Sequence, residues 1–279
     1  MLPGLLSACS GADLLNATVP RNTYQGTEGL AYGPHQRQRL DLYRPQAGSA
    51  TRARQARPLV VFFYGGNWSS GDRADFRFIG EALASQGIVA LIADYRLSPA
   101  YRYPVFLQDS ALAVRWAFDH ALEYGADAER IFVMGHSAGA YNAAMLALDA
   151  RWLAPLGLRP KQLAGWIGLA GPYDFLPILN PLAQVAFDWP ATPADSQPLV
   201  HASSASPPAL LLAARSDSVV NPERNTEALA RRLRQSGVRV ESELLAGVGH
   251  VTLVASMAPV LRSRSPVLER VRMFVGADD

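Results

Sequence analysis

The 279-residue chain is 49% hydrophobic, enough to bury a large core in a single domain. A net charge of +2 without any block of Lys or Arg excludes a nucleic-acid footprint, and no nucleic-acid partner is expected. No uninterrupted apolar run of about 18 residues occurs, which excludes a transmembrane helix on sequence grounds.

The single cysteine, Cys9, excludes an intrachain disulfide and a Cys-based metal site; no metal or cofactor is expected. Leu6, Ser7, Ala8 and Cys9 resemble the lipobox of bacterial lipoproteins, in which the cysteine is lipidated. The preceding MLPGLLSA has no positive n-region and is short for an h-region. Residues 1–21 therefore read as a tether or a truncated lipoprotein-type signal. One reading is a lipid anchor at Cys9 in a bacterial cell envelope; the other is an ordinary cysteine in a cytoplasmic protein. Residues before Asn22 are expected to add little to the core, and 22–279 to form one domain.

Short strands are predicted over 29–32 and 39–43, joined around Gly33 and Pro34 as an antiparallel hairpin at a sheet edge. Residues 46–57 read as a surface loop. The apolar run 59–64 is a buried strand ended by Gly65 and Gly66. Phe76, Ile79, Leu83 and Ala84 recur at helical spacing over 75–86, and 88–93 is the next strand. Residues 94–104 form a loop, and 106–124 a helix with Gly125 as its C-cap. A third strand, centred on 131–134, completes a βαβ series, which dictates a mostly parallel sheet with helices on both faces. Beyond it come a helix after Ser137, an irregular stretch over 149–163, a strand over 164–170 and a proline-rich cap over 171–208. The chain then continues with a strand over 209–214, a helix over 222–235, an edge strand over 238–245 and a closing helix over 266–275. Tyr173, Phe175, Phe187 and Trp189 need burial beneath the cap, either as plain cap core or as substrate lining. Trp68, Tyr141 and Tyr173 are the candidate substrate contacts.

Gly135, His136, Ser137, Ala138 and Gly139 form a GxSxG turn between a predicted strand and helix, the setting of a nucleophile elbow. A serine held in a strained turn needs flanking residues with no side chain to clash. Its hydroxyl is a poor nucleophile unless a neutral imidazole takes the proton and a carboxylate orients that imidazole. Five histidines leave room for elimination. His35 lies in an edge turn, His120 inside a helix, and His201 in the cap. His136 sits in the elbow, with its side chain expected to point away from that of Ser137. His250 remains, in a loop directly after the last strand, at the carboxyl edge where open α/β sheets build their sites. Asp217, just past the strand 209–214, is the acid, because the chain order Ser, Asp, His is that of the α/β-hydrolases; Asp174 and Asp188 are the alternatives. The oxyanion donors are assigned to the N–H of Ala138 and to Gly66 and Asn67 in the loop after 59–64.

With these residues in view, the chain from about Gln38 onward resembles the carboxylesterase and hormone-sensitive-lipase-like group of α/β-hydrolases. YGGNW at 64–68, with Gly71 and Asp72, resembles its HGGxW oxyanion segment. DYRLSPAYRYP at 94–104, with Asp109, resembles its DYRLAPE segment. Tyr64 stands where the group has His, and Ala100 where it has Glu. The resemblance implies an α/β-hydrolase fold with an antiparallel N-terminal edge and a short irregular cap. It also implies cofactor-free hydrolysis of small-molecule carboxylic esters through an acyl-enzyme. Amide hydrolysis of the kynurenine-formamidase type is a second reading, and a non-catalytic binding protein on the hydrolase fold a third.

Overall fold

The computed structural model describes residues 11–46 and 56–277; Cys9 and most of the predicted 46–57 loop lie outside them. Eight strands form one sheet: β1 (Tyr24–Ala31), β2 (Arg39–Pro45), β3 (Arg57–Phe63), β4 (Val89–Ala93), β5 (Ala126–His136), β6 (Gly165–Leu169), β7 (Ala209–Ala214) and β8 (Val240–Leu245). Their spatial order is β1-β2-β4-β3-β5-β6-β7-β8. β2 runs antiparallel to both β1 and β4, and every pairing from β4 to β8 is parallel. The fold is the expected α/β-hydrolase architecture, and the predicted hairpin is its antiparallel edge.

The helices are α1 (Gly11–Ala17), α2 (Arg77–Ala84), α3 (Val105–His120), α4 (Ala138–Leu148), α5 (Pro181–Ala186), α6 (Ala228–Gln235), α7 (His250–Ala255) and α8 (Val267–Phe274). α2 carries the chain from β3 to β4, and α3 carries it back across β3 to β5. Right-handed crossovers in opposite directions put these two helices on opposite faces of the sheet. Accordingly α3 packs with α4, and α2 with α8. β3 and β5 are neighbours at the point where the strand order reverses, so the loops leaving their carboxyl ends splay apart and open a crevice.

Three expectations need correction. His250 is not in a loop but opens α7; HVTLVA is one short apolar run, and the sequence shows no helical period in so few residues. β5 reaches back to Ala126 through the polar ADAER, which the apolar pattern omitted. Val19, ahead of Asn22, joins the core at 9% exposure, although α1 itself buries nothing.

The two glycines of the elbow are explained by packing. A Cβ on Gly135 would lie 2.1 Å from the carbonyl oxygen of Gly139, and one on Gly139 would lie 2.0 Å from that of Phe63. Both neighbours are backbone, so relief requires moving β3 or α4. Gly139→Ala is expected to cost about 3 kcal/mol and to lower the thermal midpoint by roughly 6–12 °C. A midpoint within a degree of wild type in a melting experiment would mean that α4 does not approach β3 this closely.

Candidate active site

Ser137 sits between β5 and α4 with φ 54° and ψ −121°. This backbone region is sparsely populated by L-residues and costs on the order of 1–3 kcal/mol, so surrounding contacts must hold it. Its N–H donates to the Leu169 carbonyl on β6 at 2.9 Å, and its carbonyl accepts from Ala140 and Tyr141 in the first turn of α4. The hydroxyl is thereby lifted out of the sheet.

Ser137 Oγ lies 2.9 Å from His250 Nε2, and His250 Nδ1 lies 2.8 Å from Asp217 Oδ2. The Asp217 side chain is fully covered and that of His250 is 8% exposed. The second carboxylate oxygen of Asp217 accepts the N–H groups of Val219 and Val220 at 2.8 and 2.9 Å, which orients the carboxylate toward the ring. The structure thus brings together the three residues that the sequence singled out from distant segments. The alternative acids are engaged elsewhere: Asp174 with Arg224, and Asp188 with Arg102.

Gly66, Asn67 and Trp68 have consecutive positive φ values of 123°, 51° and 55°. This run turns the loop after β3 sharply beside the elbow, and a Cβ on Gly65 would meet that of Ser137 at 3.0 Å. Ala138 is the first residue of α4, so its N–H has no acceptor within the helix. The loop is held at Trp68, whose Nε1 donates to Asn142 Oδ1 on α4 at 3.0 Å and whose carbonyl accepts the Ser98 N–H at 2.8 Å. Asn142 passes the contact on to Ser110 on α3 at 3.2 Å. The Trp68 ring is packed among Phe106, Tyr141, Phe175 and Phe187.

The departure at Tyr64 has a visible consequence. Its hydroxyl donates to Asp94 at 2.6 Å and accepts from Arg37 at 2.7 Å, while its carbonyl accepts from Tyr95 at 2.7 Å. Burial, followed by the Asp94 charge, raises the Tyr64 phenol well above its ordinary range, so it stays a donor. Asp94 also takes Arg73 at 2.6 Å, and the buried Asp109 takes the Arg96 side chain and N–H together with Gln38. These charge-assisted bonds tie the start of the segment 94–104 to Arg37 just ahead of β2, to Arg73 and to Asp109 on α3. Ala100 stands exposed on that segment.

A cavity of about 260 Å³ opens beside Ser137, with Asn67, Trp68, Phe175, Ile178, Val219 and Arg224 among its walls. Of the three aromatic residues expected to contact substrate, Trp68 lines it. Tyr141 and Tyr173 do not: both are fully buried behind its wall, Tyr141 donating to the Ser196 carbonyl at 2.8 Å and Tyr173 packing edge-on to Trp166. Each of these tyrosines stands two residues past a glycine, Gly139 or Gly171, and such a position looks alike in sequence whether it faces a cavity or a core. Among the described residues, no group of three or more His, Cys, Asp and Glu could hold a metal ion, and no helix is long and apolar enough to cross a membrane.

Sequence reasoning missed the contact made by His136. Its Nε2–H donates to the backbone carbonyl of His250 at 3.0 Å, and the two rings lie 4.9 Å apart. Burial, then repulsion from the His250 charge, pushes the His136 imidazole down to about 3. The native state therefore leaves this ring neutral where an unfolded chain, at about 6.5, takes up a proton. Its contribution to stability is complete above pH ~6.5 and is lost as pH falls toward 3, at up to about 1.4 kcal/mol per pH unit. Urea midpoints measured from pH 7 to pH 4 should fall less steeply for His136→Gln than for wild type. Equal slopes would contradict this linkage.

The BD-FAE family model matches residues 40–233. A probable isoprenylcysteine alpha-carbonyl methylesterase (ICME) of Oryza sativa subsp. japonica is 28% identical over 276 residues, covering 91% of this chain and 65% of the relative. Esterase LipC of Mycobacterium tuberculosis is 29% identical over 240 residues, covering 79% and 58%. The chain spans just under two thirds of the length of these curated relatives. Among solved structures, a truncated carbohydrate esterase from gut microbiota superimposes with a TM-score of 0.76 at 17% identity, covering 92% of this chain and 97% of that one. An arylesterase superimposes at 0.75 and 22% identity, covering 96% and 89%. At such identities the likeness is one of fold.

Proposed function

The chain belongs to the BD-FAE family, and from that premise we propose that it is a serine hydrolase cleaving small-molecule carboxylic esters through an acyl-enzyme. The observation that supports this most is the continuous hydrogen-bond line from Ser137 Oγ through His250 to Asp217, at 2.9 and 2.8 Å. In this reading Ser137 Oγ attacks the ester carbonyl carbon while His250 Nε2 takes its proton. Asp217 keeps the remaining proton on Nδ1 and stabilises the imidazolium. The N–H groups of Ala138, Gly66 and Asn67 receive the negative charge that develops on the carbonyl oxygen. They do so without reorganising, because the turn is already clamped through Trp68. His250 returns the proton to the departing alcohol. Water, deprotonated by the same ring, then releases the acid and restores Ser137. Trp68, Phe175 and Ile178 offer an apolar wall to one side chain of the ester.

A fluorophosphonate probe tests the reading directly, because it reacts only with a serine that is already activated. Mass spectrometry of the labelled protein should find the adduct on Ser137, together with turnover of p-nitrophenyl acetate or butyrate. An unlabelled Ser137 would return the chain to the non-catalytic alternative.

A further inference from the structure

His136 is a buried titratable group that the proposed reaction leaves unused. It immediately precedes Ser137 in the chain, yet its hydrogen bond runs to the backbone of His250, 114 residues away. A carbonyl oxygen can only accept, so the contact requires a proton on His136 Nε2. The side-chain bonds of His250, to Ser137 and Asp217, hold the ring. The bond from His136 holds the main chain that carries the ring.

That main chain needs an outside hold. It follows Gly247, at φ 75°, and Gly249, which as the residue before α7 has no side chain to cap the helix. On one side the turn is tied by the Gly249 N–H to Thr252 Oγ1 at 2.7 Å. On the other it is tied by His136. The distance between hydroxyl and imidazole is thus set by two adjacent residues of one strand end, rather than through the long intervening chain. A neutral ring also suits the place, since His250 must carry a positive charge during the reaction with His136 packed against it. The groups that face His136 are His250 and Asp217, and a permanently positive side chain there would repel the imidazolium.

Resting on the reading of His250 as the base, we propose that His136 is a positioning residue: its Nε2–H anchors the backbone of His250 and so sets the geometry of proton transfer from Ser137. A displacement on the order of 1 Å at such a contact costs about a hundredfold. The 279-residue chain is compared with His136→Phe and His136→Leu, which lack the donor, and His136→Gln, which returns an N–H near the same point. Turnover of p-nitrophenyl butyrate is counted per serine titrated with fluorophosphonate, so unfolded material does not enter. The apolar variants should lose about ten- to a hundredfold in kcat with KM within about twofold, and Gln should recover most of the loss. The proposal is overturned if either apolar variant keeps kcat within twofold of wild type, or if Gln falls as far as Phe. His250→Ala run alongside separates the two ideas. If it retains wild-type activity, the reading of the base itself is at fault; if it is inactive while His136→Phe is unchanged, only the positioning role is lost.

Discussion

Ser137→Ala is expected to lower kcat for p-nitrophenyl butyrate by about a millionfold while the thermal midpoint stays within a degree or two of wild type. In the proposed mechanism the loss is large because the substitution removes the attacking atom and, with it, any use for the proton acceptor at 2.9 Å. The proposed mechanism leaves substrate binding and the N–H groups of Ala138, Gly66 and Asn67, for which an acceleration of about a thousand- to ten-thousandfold over water is expected. The fold should survive because alanine adopts the same φ of 54° with the same Cβ, and the backbone bonds to Leu169, Ala140 and Tyr141 involve no hydroxyl. Measured activity within a hundredfold of wild type, in protein free of wild-type contamination, would sink the assignment.

Asp217→Asn should follow with a loss of about ten-thousandfold in kcat and little change in KM. In the wild type one carboxylate oxygen is taken by the Val219 and Val220 N–H groups and the other receives His250 Nδ1–H. An asparagine keeps its carbonyl toward the two backbone donors and turns its NH2 toward the ring. His250 Nδ1 must then accept, which moves the ring proton to Nε2, the atom that has to receive the proton of Ser137. Because the side chain is fully covered, no water restores the original arrangement. Steady-state turnover near pH 8 checks this, and a loss smaller than tenfold would mean that the tautomer of His250 is set elsewhere. Asp217→Ala is the less informative change, since it also leaves two backbone N–H groups without their acceptor.

How much of the site the sequence disclosed depended on where each residue stood relative to a strand. The runs at 59–64, 88–93 and 209–214 are continuous and apolar because both faces of a central parallel strand are covered, and the structure buries them accordingly. Ser137, Asp217 and the Gly66–Asn67 turn follow such strands within a few residues, so their position at the carboxyl edge was legible. His250 was legible for the same reason, but its helix was not, since six residues make fewer than two turns and give no period to detect. Glycine identity was readable as a need for room. Which atoms would occupy that room, the Phe63 and Gly139 carbonyls, was not.

The order of strands and short turns, the chemistry of the elbow and the pairing of a hydroxyl with one imidazole and one carboxylate follow from residue types and their spacing along the chain. The tertiary structure alone decided which buried aromatic faces the cavity and which faces the core, so that Trp68 lines the opening while Tyr141 and Tyr173 sit behind it. It alone decided that Tyr64 is held by Arg37 and Asp94, and that His136 reaches the main chain of His250. The reason is physical. Strand and turn formation depend on neighbours a few residues away, which a sequence displays in order. A hydrogen bond between side chains or carbonyls from distant segments depends on distances of a few tenths of an ångström, which are set only when the whole sheet has closed around them.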